Sequence, residues 1–303
     1  MTRCLVLGGS GFIGRYTVRI LAEHGVDRIV GDLTPISGVP FVKVDFANEG
    51  SLFQALSAVD VVVHLAWTTV PQSATDNPIQ DVSTNVLGSL NLFKACVAQK
   101  VRRVVFCSTG GALYGNPKYI PISETHPLAP LSSYGITKLT VEKYLMLFSQ
   151  VYGLEYMILR PGNAYGVGQT SAKGQGVIAA CLAAVRANQP FTVWGDGSII
   201  RDYVHVSDVA RAISLAVTTS ASNNVLNVGT GQGSSVNDLI ARIENITRRP
   251  VKVNYISQRL IDAPVNILDS SLAAAVLHWK PQVPIEVGLL DQWNALQSMT
   301  VSE

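Results

Sequence analysis

Two tyrosines of the 303-residue chain stand four positions ahead of a lysine, in YGNPK (Tyr114–Lys118) and in YGITK (Tyr134–Lys138). A phenol is a useful general base near neutral pH only when its pKa falls from about 10, and each unit needs about 1.4 kcal/mol of differential stabilisation. An ammonium held beside the ring supplies it. On a helix, residues four apart lie one above the other, so such a pair meets only where the backbone between is helical. Asn116 and Pro117 separate Tyr114 from Lys118, and proline disfavours helix in the residue before it, so YGNPK reads as a turn. YGITK follows two serines that can cap and runs into LTVEKYLMLFSQ, with Leu139, Tyr144, Leu145 and Phe148 at helical spacing. Tyr134 and Lys138 are therefore the expected base and its charged partner, against the plain alternative of a surface tyrosine and lysine.

A hydroxyl sharing a substrate proton with Tyr134 should come from the end of a central strand, where ligands lie in α/β sheets. VVFCSTGG provides Ser108 and Thr109 there, and the sequence leaves open which of them meets substrate. Near the start of the chain GGSGFIGR sets Gly8, Gly11 and Gly14 in a G-x-x-G-x-x-G spacing before a helical segment. A pyrophosphate sits on such a helix N-terminus, where N–H groups are free and the dipole favours an anion, and a side chain on the glycines would hold it away. Asp32, eighteen residues past Gly14, ends the second strand, where a carboxylate accepts from a ribose 2′-hydroxyl and repels a 2′-phosphate. Loop and acid point to a dinucleotide, NAD rather than NADP.

The elements that must position these groups alternate along the chain. Short β-branched runs fall at 3–7, 27–31, 41–44, 60–65, 102–107 and 154–159, and segments of helical period at 12–25, 49–57, 80–99 and 133–152. This alternation predicts an α/β fold, a Rossmann-type doubly wound parallel sheet. VVVHLA and RRVVFC are continuously apolar, as central strands covered on both faces are. Past about residue 165 the pattern loosens into a glycine-rich stretch, a helical AACLAAVRAN, the turn WGDGS, a helix at 206–218 and a strand at VLNVG. The expected division is a dinucleotide-binding domain of residues 1–165 with a returning segment 204–228, and a smaller mixed α/β substrate domain of 166–203 and 229–303, with a cleft between them.

Composition narrows the class. With 48% hydrophobic and 15% charged residues the chain can bury a large core, and a formal charge of +2 without basic clusters argues against nucleic acid. The early apolar run is too short for a leader or a membrane span, so the expectation is a cytoplasmic protein with no membrane contact. Cys4, Cys96, Cys107 and Cys181 are widely spaced inside apolar runs, which predicts buried thiols and no metal site.

Taken in order, GGSGFIG, Asp32, the strand-end ST, YGITK and LRPGNAYG resemble the extended short-chain dehydrogenase/reductases, and more closely the nucleotide-sugar epimerases of the UDP-glucose 4-epimerase type. The resemblance spans nearly the whole chain and adds VDF, HLAW, TNVLGSLNL, VWGDGSIIRDYVHVSDVA, NVGTG, RLIDAP and HWKP. It implies a cofactor site of Gly8, Gly11, Phe12, Ile13, Gly14, Asp32, Asp45, Phe46, Leu65, Ala66, Asn85, Tyr134, Lys138 and Pro161, with Asp45 beside the adenine and Asn85 holding a loop near the cofactor. It implies a substrate site of Thr109, Asn163, Val177, Val193, Arg201, Arg259, Asp262 and Asn266, the two arginines on the phosphates or ribose. It also implies NAD-dependent 4-epimerisation of a UDP-sugar through a 4-keto intermediate, with Lys138 keeping Tyr134 ionised, and a homodimer built on the helices at 80–99 and 133–152.

Two departures stand out. STGGALYG is one residue longer than the commoner SSATVYG, and Pro161 stands where relatives reading RYFN have tyrosine. Asn266, four beyond Asp262, is smaller than the tyrosine of strictly hexose-specific members and predicts tolerance of a 2-substituted sugar. The competing readings are a 4,6-dehydratase or decarboxylase, disfavoured because Gly110 and Gly111 follow Thr109 where dehydratases carry Asp-Glu, and a catalytically silent NAD-binding regulatory protein.

Overall fold

The structure is a computed structural model that describes residues 2–46, 48–170, 176–257 and 263–298. Its strands in chain order are β1 (Arg3–Leu7), β2 (Asp27–Asp32), β3 (Phe41–Lys43), β4 (Val61–His64), β5 (Arg103–Cys107), β6 (Glu155–Pro161), β7 (Asn163–Tyr165), β8 (Phe191–Trp194), β9 (Ile200–His205), β10 (Asn224–Val228), β11 (Gly233–Ser235), β12 (Val253–Ile256) and β13 (Val265–Asn266). Its helices are α1 (Phe12–Glu23), α2 (Glu49–Ala55), α3 (Pro71–Asp76), α4 (Pro78–Asp81), α5 (Leu87–Ala98), α6 (Ser133–Tyr152), α7 (Val177–Ala187), α8 (Val206–Thr218), α9 (Val236–Thr247), α10 (Ser271–Leu277) and α11 (Ile285–Ser298).

Seven strands form a parallel sheet in the order β10-β6-β5-β4-β1-β2-β3. The order reverses between β1 and β4, whose last pair is Leu7 with His64, and a ligand crevice opens at such a point beyond the strand ends. Because successive side chains alternate, Val6 of β1 joins one core with Leu21, Val63, Val105 and Ile213 under α1 and α8, while Leu5 and Leu7 join another with Leu52, Leu92 and Leu145 under α2, α5 and α6. Every residue of β4 and β5 is buried, as their unbroken apolar runs predict.

The predicted helix at 80–99 is three pieces. Asn77 caps the short α4 by accepting from Gln80 N at 3.1 Å, a π-turn spans Val82–Val86, and α5 continues from Leu87. The apolar period survives one widened turn, so a pattern of side chains does not register it, and such turns gather at functional sites. β7, α7, β8, β9, α9 and α11 build a third core of Tyr165, Ile178, Leu182, Phe191, Tyr203, Ile243, Leu289 and Trp293, whereas α8 and α10 pack into the main core and β10, the predicted VLNVG strand, returns to the main sheet beside β6. All four cysteines are free and buried, and among the described residues no helix is long and apolar enough to cross a membrane.

Candidate active site

The glycine loop runs from β1 into α1, with Gly11 at the cap. Gly8 has φ +83°, and a Cβ on it would meet Ala66 N at 2.6 Å; one on Gly14 would meet Gly8 O at 2.4 Å. These two glycines serve the protein's own close packing, which corrects the expectation that all three clear space for a phosphate. Gly11 alone fits it, since its only neighbour is Gly8 O at 3.2 Å and the other side is open. Asp32 braces the loop: Oδ2 accepts from Ser10 N at 3.0 Å and Oδ1 from Leu33 N at 2.7 Å, leaving lone pairs for a further donor.

α6 begins as its sequence asks. Ser132 accepts from Gly135 N at 3.2 Å, and Gly153, at φ +73°, ends the helix. Gly135 lets the first turn approach the STGGAL loop, for a Cβ there would meet Ala112 O at 2.5 Å. Tyr134 and Lys138 share a face, yet Lys138 Nζ reaches past the phenol to Cys107 O at the end of β5, 2.8 Å away. It lies 3.8 Å from the centre of the Trp67 ring and 5.8 Å from that of Tyr134. Burial pushes Lys138 down to about 8. Burial first, and then the Cys107 and Asp81 groups, pushes the Tyr134 phenol up from its usual value. In the protein alone the ammonium is directed to the strand end, and burial is the largest influence on the phenol.

Both strand-end hydroxyls are in place. Ser108 is buried, bonds Leu159 O through its N–H, and keeps a side-chain hydroxyl without a partner. Thr109 is half-buried, and its Oγ1 and Asn163 Oδ1 both border Gly111, at 3.9 and 3.0 Å from where a Cβ would stand. Thr109 and Asn163 thus face one space, with Pro161 ending β6 beside them. Asn266, in β13, is buried and donates from Nδ2 to Gly110 O at 3.0 Å, while its Oδ1 has no partner among the described residues.

The other expected residues divide. Asn85 is buried and ties the 68–69 loop, its Oδ1 accepting from Thr68 N at 3.0 Å and its Nδ2 donating to Thr69 Oγ1 at 3.0 Å. Leu65 and Ala66 lie just past β4 against Gly8, and Phe12 and Ile13 open α1, all half-buried. Asp45 is exposed beyond β3, whereas Phe46 turns inward, its ring 5.1 Å from that of His64. Val193 likewise points into the third core, so its side chain is not a binding surface; Val177 opens α7, half-buried against the same core. Arg201 donates to Ile200 O and Ala263 O at 3.0 and 2.7 Å. Its neighbour Asp202 serves Thr230, Gly231 and Leu268 instead. Arg259 and Asp262 lie outside the described residues.

Sequence reasoning missed two members. Trp67 covers Lys138 in a cation–π contact and meets Tyr134 edge-on at 6.1 Å. Asp81, fully buried, accepts from Asn85 Nδ2 at 2.8 Å. Its position four before Asn85 on a helical pattern was the available signal. YGNPK is a turn, and Tyr114 in it belongs to a buried network: its hydroxyl donates to Asn227 Oδ1 (2.7 Å) and accepts from Arg160 (3.0 Å), which pairs with Glu142 of α6 at 2.6 Å.

These residues fit a dinucleotide. The cradle is open at Gly11, Asp32 keeps free acceptor capacity, and the buried Lys138 ammonium has three protons, one of which goes to Cys107 O.

A switch-point crevice with a glycine loop and a Tyr–Lys pair on a helix packed against it defines a dinucleotide-binding α/β enzyme of the short-chain dehydrogenase type. The model of the NAD dependent epimerase/dehydratase family matches residues 4–229. UDP-glucose 4-epimerase of Mycolicibacterium smegmatis is 34% identical over 301 residues, 95% of this chain and 96% of that one. Among solved structures, UDP-glucose 4-epimerase of Thermotoga maritima with UDP-glucose superposes with a TM-score of 0.93 at 35% identity, covering 98% of this chain and 99% of that one. The Thermus thermophilus enzyme, solved with NAD, gives 0.92 at 32%, covering 98% and 100%. The chain belongs to the NAD dependent epimerase/dehydratase family.

Proposed function

We infer that the protein is an NAD-dependent UDP-sugar 4-epimerase. The observation that carries this is the first turn of α6, which carries Tyr134 and holds Lys138 on Cys107 O at the end of β5, two residues before Thr109. NAD, when bound, supplies reversible oxidation at the sugar's carbon 4. Gly11 and the N-terminus of α1 would bind its pyrophosphate and Asp32 a ribose hydroxyl, while Lys138 has protons to give the other ribose. Tyr134 takes the proton of the 4-hydroxyl on its phenol oxygen and returns it after the flat 4-keto sugar has turned over. Thr109 hydrogen-bonds the same sugar oxygen, and Ser108 supports the strand end. Burial raises the phenol in the protein alone, and Lys138, together with the positive charge that bound oxidised NAD would bring, would favour the ionised form in which Tyr134 is a base.

The segments 166–203 and 229–303 hold the nucleotide and sugar, with Arg201 and Arg259 suited to the diphosphate because guanidinium pairs bidentately with phosphate. Asn163, Val177, Asp262 and the backbone at Val193 complete that wall. Asn266 leaves room at the sugar's carbon 2, so N-acetylhexosamines are accepted beside glucose and galactose. The exposed apolar stripe Ile136, Tyr144, Leu147 and Val151 along α6 supports a homodimer. The reading includes a cytosolic location.

The test is product analysis with UDP-glucose and UDP-N-acetylglucosamine for the protein and for Tyr134→Phe. Epimerisation of both is expected from the former, with a loss of roughly 100-fold or more in the variant at unchanged NAD binding. Surviving activity in Tyr134→Phe overturns the mechanism, and turnover of UDP-glucose alone overturns the assignment of Asn266.

A further inference from the structure

Asp81 holds a fully buried carboxylate, and no cation pairs with it among the described residues. Its Oδ1 accepts from the Thr69 hydroxyl at 2.5 Å and the Asn85 amide at 2.8 Å; its Oδ2 accepts from the Ser133 and Thr137 hydroxyls at 3.1 and 2.9 Å. Burying a charge among neutral donors destabilises a fold, and an amide or an apolar side chain would fill the same space with less desolvation. The donors nevertheless form a pattern. Thr69 lies two residues from Trp67, whose ring covers Lys138. On α6, Ser133 directly precedes Tyr134 and Thr137 directly precedes Lys138.

We propose that Asp81 is a positioning residue of the active site: one carboxylate oxygen on the Trp67 loop and the other on the first turn of α6 set the gap in which Tyr134 and Lys138 stand, with a fixed negative charge beside both. The kinetic side of this rests on the epimerase reading; the titration side does not.

Four ionisable groups act on the pair. His64 approaches Lys138 from β4, Cys107 lies at the end of β5 against both residues, Glu142 sits one turn past Lys138 on α6, and Asp81 faces both from α4. A negative charge there holds the proton on Lys138 and on Tyr134, so its removal lowers both midpoints.

Asparagine at 81 separates charge from geometry. Its oxygen can face the Asn85 amide, and its amide can face the Ser133 and Thr137 hydroxyls, which are free to turn and accept. The Thr137 hydroxyl already has Ser133 O and Tyr134 O as alternative acceptors at 3.1 Å. Alanine removes charge and clamp together.

The experiment compares Asp81→Asn and Asp81→Ala with the parent protein as purified. Lys138 is titrated on its side-chain carbon by NMR, its signal assigned by loss in Lys138→Met. Asp81→Asn should lower the Lys138 midpoint by roughly half a unit or more and move the acid limb of the kcat pH profile the same way. Asp81→Ala should lose roughly 100-fold in kcat, with KM and bound NAD near the parent values. An unmoved Lys138 midpoint in Asp81→Asn, or a parent-like kcat in Asp81→Ala, overturns the proposal. Should Asp81→Ala fail to fold, the Asp81→Asn titration and pH profile decide alone. If the parent epimerises no UDP-sugar, the functional reading falls while the titration still decides Asp81.

Discussion

The burial of Lys138 opposes the charge it carries. Only 4% of it is exposed, and burial takes its pKa from the usual 10.5 to about 8. Below pH 8 both folded and unfolded chains carry the charge and the penalty is complete; between 8 and 10.5 the unfolded chain binds more protons and stability rises with pH. The neutral Lys138→Met should therefore be more stable than the parent at pH 7, by about 3 kcal/mol, with the gain vanishing towards pH 10.5. Denaturant melts across that range, with nucleotide removed, check this, and a variant less stable at pH 7 contradicts it. At this scale the Tyr–Lys pair could be read from spacing because helix geometry is local. That Trp67 and Asp81 meet the pair could not, since they reach it only after β4, the π-turn and α6 have come together; the spacing of Asp81 ties it only to Asn85. The direction of the Lys138 ammonium was equally hidden: it depends on a carbonyl thirty-one residues upstream.

For single elements, the strands at 3–7 and 102–107 and the helix at 133–152 lie where β-branched runs and helical period put them, to within a residue. The helix at 80–99 does not, because a π-turn leaves the apolar repeat intact while rotating α5 relative to α4. The glycine of YGITK had no assigned purpose in sequence. In the fold it is the point where α6 touches the STGGAL loop, with Ala112 O and Pro130 Cβ at 2.5 and 2.8 Å from a would-be Cβ. Gly135→Ala should cost roughly 1–3 kcal/mol of stability and lower kcat further than that loss explains, because the turn that shifts carries Tyr134. Unfolding midpoints alongside kcat test this; a stable variant with parent kcat means the contact relaxes elsewhere.

Across the whole molecule, the apolar stripe on α6 makes a direct claim. Leu147→Glu with Val151→Glu should turn a homodimer into a monomer of unchanged circular dichroism, read by light scattering, since charges on a buried contact oppose its closure. A parent that is already monomeric removes the claim. A loss of alternation past residue 165 was legible in the sequence, but the docking of β13 on the STGG loop through Asn266 was not, for it joins residues 156 apart. The Glu142–Arg160–Tyr114 network has a mechanical meaning as well. α6 rests on two supports, Asp81 at its first turn and Arg160 at its third. The far support is steadied by Tyr114, the tyrosine of the pentapeptide that shares the spacing of YGITK. The two look-alike motifs are one structure seen at opposite ends, and YGNPK is the footing on which YGITK stands.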